Sequence, residues 1–272
     1  MTYVPKPDLE GVNSSETNPL KDFATLLLGF VVVMGALMLI FAAAGEFLLS
    51  RLSLQREMQI FAKFTSSRPF DGADSKALSA LTERLSPDQK LKFRVSVMCE
   101  KELNAFAFPG GSIAVTSGLL SEVKTERGLS FVLAHEIGHL VHRHHLRGLG
   151  YQLGIAFASA MVGVEVSSSV NGALLGDVIG TSHSREAESE ADGYALEAMK
   201  RTYGTVAGAD EFFEAVSKED GTWVKAMPSW MSTHPGTQDR LKAIKRVSDA
   251  ERVGTGGVAN ELALHGIPSD CP

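Results

Sequence analysis

Two histidines and one glutamate within five residues could carry out metal-assisted hydrolysis. His135, Glu136 and His139 form the pattern H-E-x-x-H inside the run VLAHEIGHLV. Because residues four apart lie on one face of a helix, both imidazoles can bind the same metal ion. Glu136 is rotated from His135 by about 100° and can reach a water molecule on that metal. The apolar residues around the pattern predict a buried helix, so the sequence predicts a zinc site.

A third ligand is needed, because catalytic zinc usually takes three protein ligands and a water molecule. The acidic segment SREAESEADGYALEAMKR, residues 184–201, has helical periodicity. A helical wheel at about 100° per residue places Glu186 and Glu190 on its polar face, with Glu188 and Asp192 on or beside its alanine-rich face. Since carboxylates are not buried without a partner, we infer that Glu188 is the third ligand. Asp192, one turn later, can accept the second N–H of a zinc-bound histidine.

A local alternative for the third ligand is His145. It follows His139 by six residues, as in the pattern H-E-x-x-H-x-x-G-x-x-H. That pattern needs a sharp turn at a glycine, and this chain has His142 there. We therefore interpret His142, His144 and His145 as a solvated, basic helix end.

The N-terminal part of the chain predicts a membrane anchor. Residues 23–45 carry no charge and are long enough to cross a bilayer as a helix. We predict a flexible polar tail over 1–22, a transmembrane helix over 23–49 and a helical juxtamembrane stalk over 50–90. Four basic residues come after the apolar stretch: Arg51, Arg56, Lys63 and Arg68. By the positive-inside rule they favour a cytoplasmic C-terminal domain, in a single-pass protein of a bacterial inner membrane.

The elements that must position the candidate ligands lie in a predicted domain over 91–250, followed by a tail over 251–272. Alternating apolar residues predict a strand near 93–97, and two runs around Pro109-Gly110-Gly111 predict a hairpin. A short helix is predicted over 75–85. Residues 149–180 are rich in small residues, and we favour two helices on the core over a second membrane hairpin. Together these elements predict a mainly helical α+β fold with a small β-sheet.

Composition narrows the classes of partner. The 272 residues carry a net charge of −6 with a pI near 5.8, which argues against a nucleic-acid-binding surface. Two cysteines are too few for a disulfide framework or a cysteine-type metal site.

Four motifs in this order resemble peptidase family M48, the gluzincin group of zinc metallopeptidases. NAFAFPGGSIAVTSGLL is similar to that family's strand before the active-site helix, and HEIGH to its zinc helix. SREAESEAD is similar to its third-ligand motif, in which the metal-binding glutamate stands four residues before the aspartate. That position is Glu188, as on the wheel. STHPGTQDRL resembles its downstream S-x-H-P…R segment and brings His234 and Arg240 near the metal.

The resemblance implies a zincin-like domain with one Zn²⁺ per chain. It also implies a zinc endopeptidase in which Glu136 is the general base and polypeptides, unfolded or membrane proteins, are the substrates. The single apolar span resembles compact members of the family, so a CAAX-processing role is not expected. The second interpretation is a catalytically weak chaperone or assembly factor that binds proteins in the same cleft.

Two roles remain open for His234. It could stabilise the oxyanion with Arg240 as its electrostatic neighbour, or act as a fourth zinc ligand that keeps the enzyme latent. At the level of sequence we favour the oxyanion role. We also expect Ser112–Thr116 to present an edge strand that pairs with unfolded substrate, or to be plain core structure.

Overall fold

The computed structural model describes residues 18–65, 72–87, 91–146, 184–219, 230, 234 and 237–255. The first two helices, α1 and α2, span Pro19–Arg51 and Leu54–Thr65. Then come β1 (Gly72–Asp74), α3 (Lys76–Leu85), β2 (Arg94–Met98), β3 (Ala105–Phe108) and β4 (Ser112–Thr116). The remaining helices are α4 (Ser117–Glu122), α5 (Glu126–Val141), α6 (Arg185–Tyr203), α7 (Glu211–Glu219) and α8 (Thr237–Thr255). The predicted fold class, mainly helical α+β with a small sheet, is confirmed.

The apolar helix α1 begins earlier and ends later than the predicted span. Asn18 caps it by accepting a hydrogen bond from the Lys21 amide, so the last residues of the predicted polar tail are helical. Pro19–Gly45 is long and apolar enough to cross a membrane, and its hydrophobic side chains are exposed. Exposure of so much apolar surface is what a lipid environment requires.

Four strands form one sheet in the order β1-β2-β4-β3. β2 and β4 are parallel, whereas β1–β2 and β3–β4 are antiparallel, so the predicted hairpin is present. The edge-strand prediction for Ser112–Thr116 is wrong, because this segment is β4 and lies between β2 and β3. β4 does not alternate between buried and exposed residues, because Ile113, Ala114 and Val115 are all buried. Both faces of this strand are therefore covered, as in an interior strand. The edge beside it is β3.

Helix α5 lies against the sheet and is buried from Gly128 to Leu140. Thr125 caps its start by accepting a hydrogen bond from the Gly128 amide. Ser184 caps α6 in the same way, and Gly204 ends α6 with a φ of 71°, which glycine adopts without strain. The core joins α3, the sheet, α5, α6 and α7.

Part of the predicted juxtamembrane stalk is the helix α2, which packs against the hydrophobic core. α2 is separate from α1, since Ser53 accepts a hydrogen bond from the Arg56 amide and starts a new helix. Glu57 and Met58 of α2 are buried, and Met58 belongs to the hydrophobic core. The two helices predicted over residues 149–180 lie outside the described residues.

Candidate active site

The close approach of α5 and α6 brings the predicted ligands together. A Cβ atom on Gly138 would lie 3.0 Å from the Ala191 Cα and 3.2 Å from the Tyr194 Cβ, so a glycine on α5 permits this packing. Opposite it, Glu188 is 0% exposed and Asp192 is 8% exposed, whereas Glu190 is exposed. The burial predicted by the helical wheel is confirmed.

Four ligand atoms converge between these helices. His135, His139, Glu188 and His234 are all buried, and each offers an atom within 4.8 Å of the others. His135 Nε2 lies 3.0 Å from His139 Nε2 and 3.3 Å from His234 Nδ1. Glu188 Oε1 lies 3.4 Å from His139 Nε2 and 3.0 Å from His234 Nδ1. Ligands at about 2.0–2.1 Å from a tetrahedral zinc stand about 3.3 Å from one another, so these residues fit the metal.

The carboxylates of Glu188 and Asp192 favour a positive charge at the centre of this cluster. His135 Nδ1 lies 3.0 Å from Asp192 Oδ1, so its other nitrogen faces inward. Burial lowers the pKa of His135, but the hydrogen bonds and charges of Asp192 and Glu188 outweigh it and raise the pKa to about 9. Burial raises the pKa of Glu188, yet His135 and His234 hold it well below its ordinary value.

Glu136 lies beside the metal-facing edge of α5, between the ligand cluster and β3. Burial raises the pKa of Glu136 to about 8, while the charge of His135 and a hydrogen bond from the Ala107 amide oppose that rise. Its Oε1 atom is buried and has no hydrogen-bond partner among the residues the structure describes. A buried, unpaired carboxylate oxygen beside a metal site is suited to holding a water molecule or its proton.

Asp192 and Arg240 form a rigid support behind His135. Arg240, on α8, donates from Nε to Asp192 Oδ2 at 2.7 Å and from a terminal nitrogen to Oδ1 at 2.8 Å. Its third nitrogen contacts the Glu188 carboxylate. Burial raises the pKa of Asp192, but the hydrogen bond from Arg240 lowers it overall. A bidentate pair of this kind fixes orientation as well as charge.

His234, the fourth member of the ligand cluster, is held by an aromatic residue that the sequence did not single out. Its ring stacks on Trp230 with centroids 4.6 Å apart and an interplanar angle of 18°. Its amide donates a hydrogen bond to the Trp230 carbonyl at 2.8 Å. Burial lowers the pKa of His234 to about 4, despite the opposing hydrogen bond and charge of Glu188. His234 Nε2 stands 3.8 Å from Glu136 Oε1.

The histidines after the zinc helix are not solvated as predicted. His144 is 3% exposed and His145 is 6% exposed, while only His142 is on the surface. A helix end is solvated only where no other element covers it. Here α2 and α6 cover this end, so the prediction was wrong. His145 contacts Glu57 at 2.8 Å and lies outside the ligand cluster, so the local metzincin-type alternative is wrong.

An H-E-x-x-H helix, a glutamate from a second helix and an adjacent edge strand define a zincin-type metallopeptidase. The chain belongs to one family of that class: the sequence model of peptidase family M48 matches residues 72–248.

Three curated relatives illustrate the family. The chain is 28% identical over 174 residues to the Beta-barrel assembly-enhancing protease of Escherichia coli, covering 56% of this chain and 36% of that protein. It is 33% identical over 113 residues to the Mitochondrial metalloendopeptidase OMA1 of Schizosaccharomyces pombe, covering 41% and 34%. It is 34% identical over 112 residues to the Metalloprotease LoiP of Escherichia coli, covering 39% and 44%. The match therefore spans less than half the length of each of these relatives.

Proposed function

We propose that this metallopeptidase is a zinc endopeptidase that cleaves damaged or misfolded membrane and envelope proteins. The observation that carries the proposal is the position of β3. The Phe108 carbonyl accepts a hydrogen bond from the Gly111 amide on the β4 side. Because backbone groups alternate along a strand, the N–H and C=O groups of Ala105 and Ala107 point away from β4. The Ala107 amide bonds Glu136, so the outer edge of β3 borders the catalytic carboxylate.

An edge strand at this place selects substrates by conformation. A peptide added to β3 as a further strand would be held through main-chain hydrogen bonds to the outward carbonyls of Ala105 and Ala107 and would run past Glu136. Main-chain pairing requires an extended segment, which folded proteins do not offer but unfolded ones do. The relative named as a beta-barrel assembly-enhancing protease supports membrane proteins as substrates.

The proposed chemistry assigns one role to each residue of the site. His135, His139 and Glu188 would hold the zinc, which supplies a water molecule of lowered pKa and polarises the scissile carbonyl. Glu136 would accept a proton from the attacking water and deliver it to the leaving amine. Asp192, held by Arg240, accepts from His135 Nδ1 and keeps its Nε2 directed at the metal.

The direct test is hydrolysis of matched substrates. Purified protein with zinc is expected to cleave unfolded casein and a denatured outer-membrane protein, but to leave the same membrane protein intact once folded. A chelator should abolish cleavage, and added zinc should restore it. Equal cleavage of the folded and denatured forms would contradict substrate selection through β3.

For His234 we propose the fourth-ligand role in the conformation described, and thereby revise the preference drawn from the sequence. Its Nδ1 stands at tetrahedral spacing from His135 and Glu188 and takes the corner that the water needs. His234→Ala is therefore expected to raise casein turnover with unchanged zinc content. If about nine-tenths of the resting enzyme is closed, the gain is about tenfold. A loss of turnover would instead assign His234 to the oxyanion.

We propose that α1 crosses the membrane and that the catalytic domain, beginning near β1, faces the cytoplasm. Arg51 and Arg56 follow the span, and the positive-inside rule keeps such residues inside. A fluorescent reporter fused after Pro272 is expected to fold in the cytoplasm, while an alkaline phosphatase fused there stays inactive. The reverse pattern would place the domain on the other side. Arg51→Glu with Arg56→Glu is the matched variant, and it should shift the ratio of the two signals.

A further inference from the structure

The chain turns sharply after the metal-binding helix, at residues 143–145, which we call the post-helix turn. Arg143 has a φ of 58°, a left-handed conformation that residues with a side chain rarely adopt. Contacts on both sides of the turn must therefore hold it in place. The central residue, His144, points toward the metal site, and its two neighbours point toward α2.

His144 links a metal ligand to a carboxylate. Its Nδ1 lies 2.8 Å from His139 Nδ1, and its Nε2 lies 2.8 Å from Glu190 Oε2. A carboxylate only accepts, so His144 Nε2 carries a proton and, in the neutral ring, Nδ1 is an acceptor. His139 Nδ1 must then donate, which leaves His139 Nε2 with its lone pair directed at the cluster. A single assignment of protons satisfies all three groups.

The two neighbours of His144 are held by one buried carboxylate. Glu57, on α2, is 1% exposed. His145 Nε2 donates to its Oε1 at 2.8 Å, and Arg143 Nε forms an ion pair with its Oε2 at 3.1 Å. Arg143 also donates to the Leu52 carbonyl just before α2. Breaking such a buried ion pair by removing one partner is unfavourable, so the turn and α2 are firmly joined.

We propose that His144 is a positioning residue of the metal centre: it accepts the Nδ1–H of His139 and thereby orients that ligand, and Glu57 of the juxtamembrane helix holds His144 in place. The inference rests on the metal site proposed above. His139 then receives the same support from His144 that His135 receives from Asp192. Because α2 begins three residues after α1 ends, the helix next to the membrane is tied to a metal ligand.

The test compares variants that keep or remove the acceptor at position 144. His144→Phe keeps the ring shape without an acceptor and should raise the zinc dissociation constant about 10–100-fold, as losses behind a ligand typically do. His144→Asn restores an acceptor near the position of Nδ1 and should recover most of that affinity. If the phenylalanine variant does not fold, His144→Ala serves in its place. Zinc affinity is measured by competition with a chromogenic chelator.

A spectroscopic signal separates positioning from general stability. In ¹⁵N-labelled, zinc-loaded protein, the His139 Nδ1–H should be protected from exchange in the wild type and in His144→Asn, but lost in His144→Phe. Glu57→Gln should weaken the same signal and lower zinc affinity by about tenfold, at the lower end of the range for such losses. Gln59→Ala, an exposed change on the same helix, should alter neither quantity.

Each outcome has one meaning. Wild-type zinc affinity in both His144→Phe and His144→Ala would overturn the inference, as would an unchanged His139 signal. His142→Ala removes the exposed histidine that groups with His144 and Glu190 and should leave zinc affinity unchanged. If it weakened binding as much as His144→Phe, these residues would be a metal site of their own and not a support for His139. Failure of the wild type to bind zinc would refute the proposed function instead.

Discussion

Replacing Glu136 with glutamine is expected to lower the rate of casein hydrolysis by about 10²–10⁴-fold, the usual contribution of a general base. Zinc content should stay near one per chain, because Glu136 does not belong to the ligand cluster. Glutamine has the shape of glutamate, and its carbonyl can still accept the Ala107 amide, so the fold around β3 is kept. What it cannot do is take a proton from water at neutral pH.

Turnover and bound zinc must be measured on the same preparation. A variant that keeps most of the wild-type activity would show that another group is the base. Glu122→Gln, an exposed carboxylate elsewhere on the surface, is the matched control and should be unchanged. The chaperone interpretation makes a different prediction, namely that Glu136→Gln complements a deletion strain as well as the wild type does.

Much of the site could be predicted because each residue carries a local signal. The spacing of His135 and His139 fixes a shared helix face, and helical geometry alone separates Glu188 and Asp192 from their acidic neighbours. The two strands that flank Pro109-Gly110-Gly111 could also be predicted, because proline and glycine mark the turn between them. The order of the strands in the sheet could not be predicted, because alternation within a strand does not indicate which strand lies at an edge.

The supports behind His139 and His234 could not be predicted, since each joins distant parts of the chain. Glu57 and His145 are separated by 88 positions, and nothing near Glu57 in the sequence marks it as buried. His144 looked like part of a polar helix end because its partners, Glu190 and the α2 helix, are tertiary neighbours. Trp230 likewise acquires its role by stacking on His234. Such contacts depend on packing, and local patterns do not encode packing.

The position of Glu188 on the buried face of α6 predicts the largest effect on metal binding. Glu188→Ala should remove most of the zinc, because it deletes a ligand and leaves Arg240 without one of its two carboxylate partners. Glu186→Ala, two residues earlier on the same helix but exposed, is the matched control and should keep zinc near one per chain.

Asp192→Ala and Glu190→Ala complete the series. Loss of Asp192 removes the partner of His135 Nδ1 and should weaken zinc binding about 10–100-fold. That effect is smaller than the one expected for Glu188→Ala and larger than the one expected for Glu186→Ala. Glu190 is exposed, contacts His144 and does not belong to the ligand cluster, so at saturating zinc its variant should still hold one ion. Metal content is read by atomic absorption after dialysis against a fixed free zinc concentration. Equal content in all four variants would refute the assignment of Glu188, since burial on that face of α6 would then have no connection with the metal.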